Sequence, residues 1–205
     1  MNIFTAGDFH GREELKEAVL DEVNGGDYDM FLAIGDYDTP EFYEDMVDRL
    51  EVPWLALTGN WDFDFEPPEN NEYPYLFNYQ KVEYEDGYHF ILLGAVYPDD
   101  FLEEARAFFD GVPNEKRIVA SHYPPHMLCD LADAGNRAGF PEFRELIMRE
   151  KPALWTCGHI HEAFGKESLM DTVVVNAAAE ESGKGWRVEL GDDGVEAAAQ
   201  VELVE

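Results

Sequence analysis

The sequence predicts an α/β fold, a four-layer sandwich in which two mixed β-sheets are flanked by helices. Short apolar runs alternate with longer acidic segments whose apolar residues recur at helical spacing, which is the pattern of successive βα units. Two predicted hairpins follow the first βα units, and this order indicates two packed sheets with helices outside. No linker or repeat divides the 205 residues, so we expect one domain over residues 1–205.

The predicted strands are short apolar runs bounded by polar residues or glycine. They are Asn2–Gly7, Met30–Gly35, Pro53–Gly59, Arg117–Ser121 and Ala153–Gly158. The N-terminus has no basic segment of the kind that begins a signal peptide. We therefore expect the chain to start with a strand and the protein to be cytoplasmic.

The predicted helices lie between those strands. They are Glu13–Val23, Pro40–Leu50, Phe101–Phe109 and Glu142–Glu150. The second has Thr39 as its N-cap and Pro40 at its first position, both of which favour a helix start. The two hairpins are predicted over Lys81–Gly94 and Trp186–Leu203, with turns at Glu85-Asp86-Gly87 and Asp192-Asp193-Gly194.

Acidic residues far outnumber basic ones: 45 Asp and Glu stand against 14 Lys and Arg, a formal net charge of −31. They are spread along the chain, whereas an acidic tail or a calcium-binding tract would concentrate them. A field this negative repels nucleic acid, because nucleic-acid binding depends on Lys and Arg. It also destabilises the compact state unless salt screens it. The composition is similar to that of proteins from extreme halophiles, and we expect a salt adaptation.

Several residue types are expected to have ordinary structural roles. No apolar run approaches the roughly 20 residues that cross a bilayer, so no membrane association is expected. Cys129 and Cys157 are too few for a disulfide framework, and we expect both to be small buried side chains. Trp54, Trp155 and Phe108 fit core positions.

Five short polar clusters stand where the predicted strands end. They are Asp8-Phe9-His10, Gly35-Asp36, Gly59-Asn60-Trp61-Asp62, Ser121-His122 and Gly158-His159-Ile160-His161. Ligands of open α/β sheets gather beyond the carboxyl ends of the strands, so residues far apart in the chain can meet there. The glycines Gly35, Gly59 and Gly158 are expected to let the backbone turn sharply at this place.

The side chains of these clusters are metal ligands by type. Carboxylate, imidazole and amide oxygen suit Mn²⁺, Fe or Zn²⁺, while the absence of thiolates argues against a structural zinc site. Asp8 and His10 are two positions apart, so an extended chain points both to the same side, and the same holds for His159 and His161. Asp36 stands between these pairs and could bridge two cations.

This ordered set resembles the calcineurin-like metallophosphoesterase superfamily, whose signature runs D-x-H, G-D, G-N-H-[DE], H and G-H-x-H. The resemblance spans Asp8 to His161. Within the superfamily, His122-Tyr-Pro-Pro and Cys157-Gly-His-Ile-His-Glu162 are most similar to the small Icc-like phosphodiesterase branch. Asn176 stands where that branch often has V-N-P-G, although here the sequence is Val-Asn-Ala-Ala.

The resemblance implies two divalent cations, with Mn²⁺ expected and Fe, Zn²⁺ or Ni²⁺ as alternatives. One would be held by Asp8, His10, Asp36 and His161. The second would be held by Asp36, Asn60, His122 and His159. A hydroxide bridging the cations would attack phosphorus, and the residues expected to act in catalysis are Asp36, Asn60 and His122. Asp62 would orient its neighbours.

Trp61 departs from the family pattern. The family often has a histidine there that protonates the leaving group or contacts the substrate phosphate, whereas an indole has one N–H donor and no usable proton. His126 could be a substitute acid, or else a solvated loop residue. Asp38 could support the ligands or be solvated, and His89, inside a predicted hairpin strand, is expected to be structural.

Three functions follow from the resemblance. The first is a phosphodiesterase for a small phosphodiester, and the second is a phosphomonoesterase of the same fold. The third is a catalytically weak metal-binding scaffold in protein interactions, an alternative that Trp61 leaves open. A protein phosphatase is disfavoured because Gly35-Asp36-Tyr37-Asp38-Thr39 lacks the arginine of their longer G-D-x-V-D-R-G motif. A DNA-repair nuclease is disfavoured because the chain has no basic face.

Overall fold

A computed structural model describes residues 1–62, 76–77, 79–95, 101–133 and 135–204. The α-helices of this part of the chain are α1 Glu13–Gly25, α2 Pro40–Asp48, α3 Phe101–Phe109, α4 Pro141–Glu150 and α5 Ala179–Ser182. The strands are β1 Asn2–Ala6, β2 Met30–Ala33, β3 Trp54–Leu57, β4 Leu76–Phe77, β5 Tyr79–Glu83, β6 His89–Leu93, β7 Arg117–Ser121, β8 Leu154–Cys157, β9 Gly165–Leu169, β10 Thr172–Asn176, β11 Lys184–Gly191 and β12 Gly194–Glu202.

These strands form two six-stranded sheets. The first has the order β12-β11-β1-β2-β3-β4, and the second has the order β5-β6-β7-β8-β10-β9. In the first sheet β1 to β4 are parallel, and the hairpin β11–β12 adds antiparallel strands beside β1. In the second sheet β6, β7, β8 and β10 are parallel, with β5 and β9 antiparallel at the two edges. The predicted pair of mixed sheets is confirmed.

Three apolar clusters hold the layers together. Between the sheets lie buried side chains that include Ile3, Leu32, Leu55, Phe90, Ile118 and Leu154. On the outer face of the first sheet, α1 and α2 pack with side chains such as Leu15, Val19, Phe31 and Phe42. On the outer face of the second, α3 and α4 contribute Phe109 and Phe143, which pack with Trp155. The order helices, sheet, sheet, helices is the predicted four-layer sandwich.

The helix starts follow from local sequence. Thr39 Oγ1 accepts the N–H of Phe42 at 3.2 Å, and Pro40 is the first helical residue of α2, as predicted. Helix α4 starts at Pro141, one residue earlier than predicted. Pro suits the first helical position because its φ is fixed near the helical value and its missing N–H is not needed there. None of the helices in the described ranges is long and apolar enough to cross a membrane.

The structural roles expected for single residues agree with the packing. Trp155 is fully buried, and Trp54 and Phe108 are partly buried against the outer clusters. Cys129 and Cys157 are free thiols with buried side chains. Among the strands and α-helices of the described ranges, β4, β9, β10 and α5 were not predicted.

Candidate metal centre

The polar clusters all lie at one end of the sandwich. They follow β1, β2 and β3 in the first sheet and β7 and β8 in the second, so loops from the two sheets face each other there. This end brings together all seven side chains that the sequence predicts as metal ligands. They form two neighbouring groups of ligand atoms.

The first group contains Asp8, His10 and His161, whose ligand atoms lie within 4.8 Å of one another. His10 Nε2 is 3.3 Å from His161 Nε2, and His161 Nε2 is 3.4 Å from Asp8 Oδ1. Two nitrogens that both bind one cation at about 2.1 Å in tetrahedral geometry are about 3.4 Å apart. The spacing of the two imidazoles therefore fits a shared cation.

The second group contains Asp36, His122 and His159, again with ligand atoms within 4.8 Å. His122 Nδ1 lies 2.9 Å from the carbonyl oxygen of Ile34, which can only accept, so Nδ1 carries the proton of the neutral ring. His122 Nε2 is then a lone pair 2.8 Å from Asn60 Oδ1, a second acceptor. With the ring neutral, both atoms are acceptors and both are metal ligands by type, so a cation held by both fits this contact.

Asp36 joins the two groups through a single oxygen. Its Oδ2 lies 3.6 Å from His10 Nε2 and 3.5 Å from His122 Nε2. Its Oδ1 instead accepts the backbone N–H of Trp61 at 2.9 Å, which fixes the orientation of the carboxylate. This is the arrangement expected of a carboxylate that bridges two cations.

The electrostatics of the site also fit divalent cations. Asp8 and Asp36 are buried, and within the described ranges the only side chains that form ion pairs with them are histidines. Burial raises the pKa of Asp36. At Asp8 burial acts the same way and is the largest single influence, but the contacts with His161, the charge of His122 and the backbone N–H of His159 together outweigh it and lower the pKa. Burial lowers the pKa of His159 to about 4, so its ring is a neutral ligand at pH 7. Buried carboxylates are costly without a cation, and the donor set suits two.

Residues 1–163 match the family model of the calcineurin-like phosphoesterases. The chain belongs to this family. No curated protein sequence matches it.

Solved structures share the fold of this phosphoesterase family member over nearly the whole chain. The Thermus thermophilus protein TT1561 is 14% identical with a TM-score of 0.68, and 99% of each chain is covered. A dimetal phosphatase from Danio rerio is 10% identical with a TM-score of 0.63, covering 100% of this chain and 99% of that one. An archaeal protein described as a novel phosphodiesterase is 14% identical with a TM-score of 0.60, covering 98% and 99%. At these identities the likeness shows the fold alone.

The backbone of this phosphoesterase is left-handed at four of the seven expected ligands. The φ angles are 55° at Asp8, 44° at His10, 57° at Asp36 and 68° at His159. A residue with a side chain is strained by about 1–3 kcal/mol in such a conformation and keeps it only when the surroundings impose it. Here the loops impose it on each other, since Asp8 N donates to Gly35 O and His10 N donates to Asp36 O, both at 2.9 Å.

The glycines of the motifs have two different roles. Gly35 has a φ of +91°, as expected for a sharp turn. Gly59 and Gly158 do not have left-handed backbones, although the chain turns at both, since Asp62 N donates to Gly59 O at 3.3 Å and Ile160 N donates to Gly158 O at 2.8 Å. A side chain at Gly59 would overlap the Asp36 carboxylate, and one at Gly158 would overlap that of Asp8. These two glycines leave room for the carboxylates.

Asp62 supports the centre from behind. Its buried carboxylate accepts the backbone N–H groups of Asp36 and Gly59 at 2.7 Å and of Tyr37 at 2.9 Å. Burial raises its pKa in spite of these hydrogen bonds. Asp62 thus connects the loop after β2 to the loop after β3, which is the orienting arrangement that the sequence indicates.

A cavity of about 410 Å³ opens over the two groups. It is lined by His10, Asp36, Asp38, Asn60, Trp61, His159, His161 and Glu180. Trp61 is 57% exposed, and its ring stands edge-on to that of His10 with 5.1 Å between the centroids. Among the described residues that line this cavity there is no Lys or Arg.

The other side chains that the sequence suggested for the site differ in how close they lie to this cavity. His126 Nδ1 lies 3.5 Å from Asp130 Oδ2, and His126 does not line the described cavity. Asp38 is exposed and does line it. His89 lies at the start of β6, at the opposite end of the strand from the carboxyl ends that carry the site.

Sequence reasoning missed Glu180. Its Oε2 lies 2.8 Å from His161 Nδ1 and 3.8 Å from His10 Nε2. The residue belongs to α5, which has four residues and is too short for a periodic pattern. In a chain with 45 acidic residues, one more Glu carries no signal of its own.

Proposed function

We propose that the chain is a phosphodiesterase that uses two divalent cations, with Mn²⁺ expected, to hydrolyse a small phosphodiester. One observation carries this proposal. Asp36 Oδ2 lies beside ligand atoms of both groups, 3.6 Å from His10 Nε2 and 3.5 Å from His122 Nε2, and Asp36 lines an open cavity. Membership of the calcineurin-like family and the donor chemistry of the seven side chains support it. When bound, the cations would activate a water molecule and polarise the phosphoryl oxygens.

The protein's own side chains would hold the metal ligands in fixed positions. Hydrogen bonding to Ile34 aims His122 Nε2 at Asn60 and Asp36, and Asp62 holds the loops that carry Asp36 and Asn60. Such fixed geometry is what two-metal sites require from the protein. Asp36, Asn60 and His122 are the side chains that we place nearest the reacting phosphorus.

The charge of the cavity favours diesters over monoesters. Its described lining includes three carboxylates, from Asp36, Asp38 and Glu180, and no Lys or Arg. A phosphomonoester carries close to two negative charges at pH 7, whereas a diester carries one. The cavity walls therefore repel the diester less. A phosphomonoesterase is the alternative within the same chemistry.

A metal-binding scaffold is the alternative outside enzymes. The observation that favours it is Trp61, a largely exposed indole at the position where the family often has a proton-donating histidine. Against it stand the seven convergent ligand side chains, which a surface for protein binding does not need.

We further propose that the protein works in a cytoplasm of high salt concentration. The formal charge of −31 supports this, because a surface so acidic is stable only where salt shortens the range of its repulsion. Assays should therefore contain multimolar KCl.

The function is tested with an aryl phosphodiester and the matching aryl phosphomonoester, in multimolar KCl with added Mn²⁺. We expect turnover of the diester with the higher kcat/KM, and loss of turnover when a chelator removes the metal. A higher kcat/KM for the monoester would favour the phosphomonoesterase. Two bound cations without turnover of either ester would favour the scaffold.

Trp61 is expected to limit the enzyme to esters with good leaving groups. An alkoxide leaving group needs a proton in the transition state, a contribution worth about 10²–10⁴-fold, and an indole cannot provide it. Aryl diesters should therefore be cleaved far faster than alkyl diesters. Trp61→His should raise kcat/KM for alkyl diesters by about 10-fold or more and change that for aryl diesters little.

The matched control is Trp61→Phe, which keeps an aromatic ring without adding an acid. If the wild-type protein cleaved alkyl and aryl diesters equally well, another group would have to supply the proton. A gain with Trp61→Phe as large as with Trp61→His would assign the effect to steric access.

A further inference from the structure

Glu180 reaches the candidate metal centre from an element outside the five sequence motifs. Its Oε2 stands 2.8 Å from His161 Nδ1, within hydrogen-bonding distance, while His161 Nε2 faces His10 and Asp8 on the other side of the ring. The Glu180 side chain is half-buried. The two nitrogens of His161 therefore have different partners: a carboxylate outside the group and the expected ligands inside it.

Helix α5 is fixed in place by its backbone. Gly7 N donates to Ala177 O at 3.0 Å, and Ala179 N donates to Gly7 O at 2.9 Å, so the helix is joined to the end of β1. The Arg12 guanidinium donates to the carbonyl oxygen of Glu180. The position of Glu180 is thus set by the loop that carries Asp8 and His10.

Asn176 connects α5 to the loop of the histidine motif. This buried side chain accepts the N–H of Ala178 at 2.9 Å through its oxygen. Its amide nitrogen donates to Ile160 O at 2.9 Å and to Cys129 O at 3.2 Å. Because one amide group holds both backbone segments, the contact between Glu180 and His161 joins two fixed elements and is not a chance meeting of surface groups.

We propose that Glu180 is a positioning residue for His161. Its carboxylate accepts the Nδ1 proton, which keeps the Nε2 lone pair directed at the group formed by Asp8, His10 and His161. A carboxylate in this role also makes the imidazole a stronger ligand than a backbone carbonyl does. This inference rests on the proposed two-cation function.

The two groups differ in this respect. In the second group, His122 Nδ1 faces the carbonyl oxygen of Ile34, whereas in the first group His161 Nδ1 faces a carboxylate. The cation bound at Asp8, His10 and His161 is therefore expected to be held more tightly, through Glu180, than it would be with a neutral acceptor. Removing the carboxylate should weaken the binding of that cation and leave the binding of the other cation nearly unchanged.

The test compares three variants with the wild-type protein by titrating each metal-free chain with Mn²⁺ in multimolar KCl. Glu180→Ala removes the acceptor, and Glu180→Gln keeps an acceptor oxygen without the charge. Glu181→Gln is the matched control, because it removes one charge from the same helix at an exposed position. We expect Glu180→Ala to weaken one of the two binding steps by about 10–100-fold. The Mn²⁺ affinity of Glu180→Gln at this step should lie between those of the wild type and Glu180→Ala. The affinity of Glu181→Gln should match that of the wild type.

A second measurement reports which nitrogen of the His161 ring carries the proton. Nitrogen NMR of the metal-free protein is expected to show the proton of neutral His161 on Nδ1 in the wild type and in Glu181→Gln. In Glu180→Ala it should move toward Nε2. Equal Mn²⁺ affinities and equal tautomers in Glu180→Ala and Glu181→Gln would overturn the proposal.

Direct ligation by Glu180 would also overturn a positioning role. Visible absorption of the Co²⁺ form distinguishes the two, because removing a ligand changes the coordination number and the intensity, whereas removing a partner of a ligand does not. The Mn²⁺ titration of the wild-type protein separates the proposed function from the proposed role of Glu180. Fewer than two bound cations would reject the function, and the His161 tautomer would still decide the role of Glu180.

Discussion

Replacing Asp36 by Asn is expected to lower kcat/KM by about 10³-fold or more and to reduce the bound metal from two ions to one or none. One oxygen of Asp36 faces both groups of ligand atoms, so the substitution affects both cations. A loss of several kcal/mol of transition-state stabilisation corresponds to this factor, at about 1.4 kcal/mol for each tenfold change. Metal content by elemental analysis and steady-state kinetics on an aryl diester measure the two effects.

Asp38→Asn is the matched control for Asp36→Asn. Asp38 lies in the same loop, lines the same cavity and also has a positive φ, of 92°, but it belongs to neither group of ligand atoms. Its replacement should change kcat/KM by less than about tenfold. Asp62→Asn should have an intermediate effect, because an amide oxygen can still accept some of the three backbone N–H groups. Two cations retained in Asp36→Asn would refute the bridging assignment.

Raising KCl from 0.1 M to several molar is expected to raise the thermal midpoint steadily, with the metal concentration held constant. Several of the basic residues already contact two acids, as Lys16 contacts Glu13 and Asp45, and Arg49 contacts Glu17 and Asp45. The net charge of −31 therefore consists of acids that have no cation to pair with. The Debye length falls from about 10 Å at 0.1 M to about 3 Å at 1 M, which removes all but the nearest repulsions.

The size of the shift follows from the stability margin. If repulsion takes about 5 kcal/mol from a margin of about 5–15 kcal/mol, screening it should raise the midpoint of a chain this long by roughly 10–20 °C. Salt also weakens the surface ion pairs, but each of these is worth only about 0–1 kcal/mol. The repulsive contribution is expected to dominate.

Concentrated salt also strengthens apolar burial, so a control must separate that effect from screening. A triple variant, Asp21→Asn with Glu44→Gln and Asp48→Asn, neutralises three exposed acids on α1 and α2 that form no described ion pair. Screening predicts a higher midpoint than wild type at 0.1 M KCl and a shallower rise with salt. Equal slopes for the two proteins would attribute the rise to apolar burial, and an unchanged wild-type midpoint would disprove the salt adaptation.

The main strands and helices could be predicted because each has a local signal. The strand predicted from Arg117 to Ser121 matches β7 residue for residue, and α3 matches as well. Strand β9 could not be predicted, since Gly165-Lys-Glu-Ser-Leu169 has no apolar alternation and becomes a strand only by pairing with β10 at the sheet edge. Its conformation comes from tertiary pairing, and local propensity did not indicate it.

The candidate ligands were predictable for a different reason. Their residue types and their order at strand ends indicate a metal site before any distance is known, and the structure places the seven side chains together. The contact of Glu180 with His161 was not predictable, because it depends on hydrogen bonds from Gly7 and Asn176 that place α5 beside the histidine loop. The space requirement at Gly59 and Gly158 likewise depends on where two carboxylates point.

Each group of ligand atoms takes side chains from both sheets, and His10 and His161 are 151 positions apart in the chain. A cation held by such a pair would act as a reversible cross-link, closing a very long loop as a disulfide does and lowering the entropy of the unfolded chain. The sheets could then separate only after the ion dissociates. The lifetime of the folded protein would be set by metal release, so a chelator should shorten that lifetime even where it changes the native contacts little.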